Sequence, residues 1–191
     1  MKSAAERIVD AAIDIFAEKG FTQATTQEIA KAAGVAEVTL YRKFSTKQNV
    51  FLSVVRTVID DQFEAGMTRR AETNDTRQLL RQIVSNRLDV FSKNEQLIKM
   101  LLSESLMGHV SADINLPALL YDSIKKSLAT HFDATGQAVN IEHCARQLGG
   151  IYLSHIVFPA DTPFFKLSSA EKEAVVDQYV DALIASLEQK K

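Results

Sequence analysis

Apolar residues recur three or four positions apart along nearly the whole chain, and no strand signal competes with them, so the pattern predicts helix after helix. Residues 3–19 place Ile8, Ala12, Ile15 and Phe16 on one face. A new helix starts near Thr46-Lys47, with Val50, Phe51, Val54, Val55 and Val58 behind it. Further stripes run through Leu79, Leu80, Ile83, Val84, Leu88 and Phe91, then through Leu97, Ile98, Leu101, Leu102 and Met107. Breaks are expected near 66–74, 93–94, 108–115, 132–140 and 159–167, where Gly, Pro, Asn and Asp gather. Pro117 suits the first turn of its helix, where it removes no needed donor. The reading is all-α, about nine helices, with a small N-terminal domain at 1–46 and a larger helical domain at 47–191.

Residues 25–50 carry the most specific local pattern. Thr25 and Glu28 have the spacing of a capping box, in which hydroxyl and carboxylate each satisfy an amide at the helix start. Ile29, Ala30 and Ala33 form the inner stripe. Gly34 then stands where a helix ends in a left-handed residue, which a side chain without Cβ adopts at no steric cost. In the next short helix Leu40 and Phe44 share one face, leaving Val38, Thr39, Arg42 and Lys43 outward. So short a helix is marginal alone and needs the amphipathic helices on either side to clamp it. By spacing alone this could be an ordinary helical subdomain with Arg42 and Lys43 as a solvated pair, or a helix-turn-helix aimed at DNA.

The string Ala11-Ala12, Phe16, Gly20-Phe21, Thr25-Thr26, Ile29-Ala30, Ala33-Gly34-Val35, Thr39-Leu40-Tyr41, Phe44 and Lys47 resembles the DNA-binding domain of the tetracycline-repressor (TetR) family of bacterial regulators, over about the first quarter of the chain. Two positions depart from the family pattern. Ala36 stands where a serine commonly caps the recognition helix, a loss of roughly 1 kcal/mol. Val38 stands where glycine is common and puts an apolar branched side chain on the face that meets base edges. The resemblance implies a dimeric, ligand-responsive transcriptional regulator, most simply a repressor on a palindromic operator. Thr26, Tyr41 and Lys47 are then suited to phosphate oxygens, and Val38, Thr39 and Arg42, with Glu37 and Lys43 at the edges, to base edges.

Charge limits how such a protein holds DNA. The 191 residues carry a formal net charge of −2, and residues 1–50 hold seven Lys/Arg against six Asp/Glu. Basic groups must be placed rather than numerous, so specificity would come from two half-sites and the salt dependence would be modest.

The last two helices, 141–158 and 168–187, are apolar over more than one stripe. The first carries Cys144, Leu148, Gly149, Gly150, Ile151, Ile156 and Val157; the second carries Val175, Val176, Tyr179, Val180, Leu183, Ile184 and Leu187. A helix covering one core needs a single stripe, so the excess points to a homodimer interface, or to a deeply buried hairpin in a monomer. Between reader and dimer helices, Phe91, Met100, Glu104, Met107, His109, Tyr121, Tyr152, His155 and Phe158 are the candidates for lining an effector site, and their apolar bias favours a hydrophobic or aromatic molecule. The competing reading is core filling.

Catalysis and metals find little support. His143 and His155 are twelve positions apart and a third of a turn out of register, unlike a zinc pair at i, i+4. Ser154 and His155 are neighbours on a helix and point apart. The seven glycines form no phosphate loop, and one cysteine allows neither an internal disulfide nor a cysteine metal cluster. No cofactor and no metal are expected. The longest uncharged stretch, 147–160, is too short to span a membrane, and the N-terminus is no export signal, so a cytoplasmic protein is expected. Two alternatives stay open: a helical ligand-sequestering or interaction protein that has lost DNA binding, and an enzyme using Glu104 with a histidine.

Overall fold

The computed structural model describes residues 2–59, 75–110, 115–158 and 160–188, without the side chains of residues 58, 59 and 188. Among the described residues there are nine α-helices and no strand: α1 Ala4–Gln23, α2 Thr26–Ala32, α3 Glu37–Phe44, α4 Lys47–Ile59, α5 Thr76–Lys93, α6 Glu95–Leu106, α7 Leu116–Thr135, α8 Ile141–Val157 and α9 Ser169–Glu188, with a 3-10 turn at Phe164–Lys166. The break expected at 66–74, the end of a fourth helix beyond residue 59, and Pro159 lie outside the described residues.

The chain divides into two compact units, residues 1–61 with 96–119 and residues 62–95 with 120–191. That division differs from a cut at residue 46, because α4 packs on α1 and the α6 segment joins the same unit.

In the first unit, α1 starts at a capping box between Ser3 and Glu6 and buries Ile8, Ala12 and Phe16 completely. Gly20, with φ of 75°, interrupts it, and the chain turns so that Phe21 packs inward. Phe16, Phe21 and Phe51 form an aromatic knot with ring centroids 4.8–5.9 Å apart. From α4, Val50, Phe51, Val54 and Val55 close this core with no exposed surface. The Thr25–Glu28 box forms as the spacing predicts. With the Lys19 ammonium 2.6 Å away and Thr25 bonding it, the Glu28 carboxyl is held down at about 2. At the far end of α2 the Val35 amide bonds Ala30 O and the Gly34 amide bonds Lys31 O, a Schellman closure that requires Gly34 at φ 63°. Arg7 reinforces it from α1, its guanidinium donating to the Ala33 carbonyl at 3.1 Å.

The N-cap of α3 is Ala36, in the extended conformation that a cap requires but with no side chain to accept an amide. Ala36→Ser should therefore stabilise the protein by about 0.5–1 kcal/mol, read as a higher urea midpoint at constant slope. An unchanged midpoint would mean that another group already serves the free amides of α3.

The second unit packs α5 against α8 and α9. Leu79, Leu80, Ile83, Val84 and Leu88 face Cys144, Leu148, Tyr152 and Ile156, with Val176, Val180 and Leu183 from α9, all buried. Tyr152 donates to the Ile83 carbonyl at 3.3 Å. Burial raises the Cys144 thiol to about 11, so it behaves as a small core hydrophobe. The expected break at 132–140 starts later: Phe132 is buried within α7, and the helix stops only at Gly136, whose φ is 65°. Pro117 lies in the first turn of α7, as expected.

Candidate nucleic-acid interface

The outward face of α3 is assembled from short-range chemistry. Leu40, fully buried, anchors the helix, and that orientation leaves Val38 73 % and Tyr41 47 % exposed, with Arg42 and Lys43 also in solvent and Thr39 half-buried. At its base lies a polar cluster. The Thr26 hydroxyl donates to Glu37 Oε1 at 2.7 Å and sits 3.0 Å from the Tyr41 hydroxyl. With its one proton given to the carboxylate, Thr26 accepts from Tyr41. Glu37 thus fixes the two hydroxyls that the sequence assigns to phosphates, tying the start of α2 to α3.

Lys47 has a role that its residue type does not reveal. Its ammonium donates to the carbonyls of Phe21 at 2.8 Å, Thr22 at 3.3 Å and Ala24 at 2.9 Å, and lies 4.6 Å from the centre of the Phe21 ring. It closes the turn after α1, so its charge is engaged inside the unit rather than extended from it. Burial lowers its pKa, opposed by the nearby Glu104 carboxylate.

The effector candidates separate. Phe91 and His155 line a cavity of about 340 Å³ in the second unit, together with Ser92, Glu95, Ile156, residues 160–164, Leu167 and Val175. Such a volume falls in the range of small-molecule sites. Burial lowers the His155 pKa, which keeps the ring neutral, and its Nε2 lies 2.9 Å from the Tyr179 hydroxyl. None of the described lining residues is Lys or Arg. Tyr152 lies behind the wall, its ring edge-on to Phe91 at 5.8 Å. Met107, His109 and Phe158 are exposed, because each follows or closes a helix end. Tyr121 is covered by the cations of Lys125 and Arg146, Met100 is half-buried, and Glu104 reaches the α1–α2 turn. Sequence reasoning missed Phe164 and Leu167, which stand in an irregular stretch where periodicity carries no signal.

On α8 and α9 each helix has one stripe in its own core, and on α8 and just past its end apolar residues are left over. Leu153, Val157 and Phe158 are 48 %, 55 % and 77 % exposed, and among the described residues a Cβ at Gly149 or Gly150 would meet nothing within 4 Å beyond its own helix. Among the described residues no group of His, Cys, Asp or Glu could hold a metal, and no helix is long and apolar enough to cross a membrane.

A buried anchor with an exposed, hydroxyl-rich and basic face, locked to the preceding helix through a glycine turn, has the geometry of a helix-turn-helix. Residues 8–54 match the model for bacterial regulatory proteins of the tetR family. The chain is 26 % identical over 121 residues to the transcriptional repressor NicS of Pseudomonas putida, covering 62 % of this chain and 57 % of that one. Over 50 residues it is 40 % identical to the fatty acid metabolism regulator of Bacillus subtilis, 26 % of each chain. The crystal structure of FadR from Bacillus subtilis in complex with stearoyl-CoA superposes with a TM-score of 0.67 at 18 % identity, covering 93 % of this chain and 96 % of that one, a likeness of fold. The tetR-family match is thus to the N-terminal segment, residues 8–54. The chain's matches span between about a quarter and just over half the length of those two curated relatives.

Proposed function

We propose that the protein is a homodimeric, ligand-responsive transcriptional regulator of the bacterial cytoplasm that represses from a palindromic operator. The observation that carries this is the α3 face, where Val38, Thr39, Tyr41, Arg42 and Lys43 stand outward above the Thr26–Glu37–Tyr41 cluster. Thr26 and Tyr41 suit phosphate oxygens, Arg42 suits guanine O6 and N7, and Val38 suits a thymine methyl. Lys47 supports the set from behind by holding the turn. The uncovered apolar surface of α8, with its two glycines, supports a dimer through α8 and α9, whose recognition helices would reach successive major grooves about 34–36 Å apart.

The effector is assigned to the cavity at Phe91 and His155. FadR of Bacillus subtilis holds an acyl-CoA; here the described lining offers no cation for phosphates, so an uncharged, largely apolar molecule with one or two hydrogen-bonding groups fits better. It acts by binding one dimer state more tightly than the other, and a switch from 1:99 to 99:1 needs about 5.5 kcal/mol of such preference.

Selection from a pool of random duplexes at low salt tests the reading. The wild-type protein should enrich an inverted repeat. Arg42→Ala should then lose about 1–3 kcal/mol on that duplex and tolerate changes at the base pair it reads. Failure to enrich any duplex removes the regulatory reading, and a uniform loss across base variants reduces Arg42 to a phosphate contact.

A further inference from the structure

The sequence associates Glu104 with an effector, yet its carboxylate lies at the turn between α1 and α2. Oε1 accepts the Phe21 amide at 3.0 Å from a position 83 residues away, and Oε2 lies 2.9 Å from His109 Nδ1. The side chain is only 12 % exposed. Lys47 takes the carbonyls of the same turn, so residues 20–24 are held by their amide from α6 and by their carbonyls from α4. A Cβ on Gly20 would come 2.9 Å from Oε1, so the close approach of the carboxylate and the left-handed glycine depend on each other. Directly after this turn come the cap Thr25 and then Thr26, which meets Glu37 and Tyr41 of the recognition helix.

A carboxylate accepting a half-buried backbone amide forms one of the stronger hydrogen bonds available, and it is directional. Small rotations of α6 therefore move the turn or break the bond. We propose that Glu104 is a positioning residue for DNA recognition, setting through the Phe21 amide the pitch at which α2 and α3 are presented. It rests on the DNA-binding reading above. The same helix opens with Glu95, a lining residue of the cavity.

Three substitutions in the full chain separate the bond from the charge. Glu104→Gln keeps an acceptor at the same reach and loses the charge; Glu104→Asp keeps the charge and falls short of Phe21; Glu104→Ala removes both. The readouts are amide exchange at Phe21 and affinity for the duplex that the wild type enriches. Asp and Ala should each speed Phe21 exchange and weaken the duplex about tenfold with the helical signal intact, while Gln stays close to wild type. If Ala fails to fold, the Asp and Gln pair decides. The assignment is overturned if Asp behaves as wild type and Gln as Ala, if Phe21 exchange is unmoved, or if affinity falls only with the folded fraction. Should the wild type enrich no duplex, the DNA reading fails by itself, and Glu104 is judged on Phe21 exchange and on the amide resonances of α2 and α3 in Glu104→Asp.

Discussion

Phe51→Ala is expected to cost the first unit about 3–5 kcal/mol, the range for removing a buried aromatic ring from a close-packed core. Phe51 has no exposed surface and meets Phe16 and Phe21 edge-on, with centroids at 5.2 and 4.8 Å. Each such pair adds roughly 0.5–1.5 kcal/mol beyond burial, which argues for the upper part of the range. The loss is large against a total stability of about 5–15 kcal/mol. Its consequence for function follows from where the ring sits: it backs Phe21, the residue whose amide and carbonyl are held by Glu104 and Lys47. Urea unfolding at constant slope measures the cost. A fall below about 1.5 kcal/mol, the figure for a volume-conserving swap, would mean that the knot collapses around the gap and contributes little. Phe51→Leu, which loses both ring pairs but refills most of the volume, should cost less than Phe51→Ala.

What the sequence reveals is local, and what it conceals is long-range or irregular. The Thr25–Glu28 box, the Gly34 turn and the Leu40 anchor each depend on residues within five positions, so spacing determines them. The outward face of α3 follows from the same spacing. Phe91 and His155 were readable as pocket candidates because they stand on regular helices beside core positions. Met107 and Phe158 have the same residue chemistry but lie just past helix ends, and both are exposed. The bond from Glu104 to Phe21 joins residues 83 positions apart, and no periodic pattern encodes it. Arg87 is a different case. It is almost completely buried between Val84 and Phe91 on α5, a burial that its residue type argues against and that the apolar stripe of the sequence does not include.

Lys47→Met carries the second large effect and separates two meanings of one lysine. Methionine matches the length of the stem and keeps its apolar contact with Phe21, so the change isolates the ammonium. Three carbonyls lose a donor, two of them in the part-buried region of the turn. Hydrogen bonds to a charged group contribute about 1.5–3 kcal/mol each, but these acceptors are close to solvent and water can replace part of the loss, so a total near 2–3 kcal/mol is expected. The cation over the Phe21 ring adds roughly 0.5–1 kcal/mol at such exposure. A phosphate contact alone would give the opposite result: stability unchanged without DNA, affinity reduced alike for every duplex, and the salt slope lowered by about one. Measuring unfolding in the absence of DNA alongside the salt dependence of duplex binding decides between them. If Lys47→Met unfolds at the wild-type urea midpoint and only the salt slope falls, the lysine reaches the phosphates, and the turn does not need it.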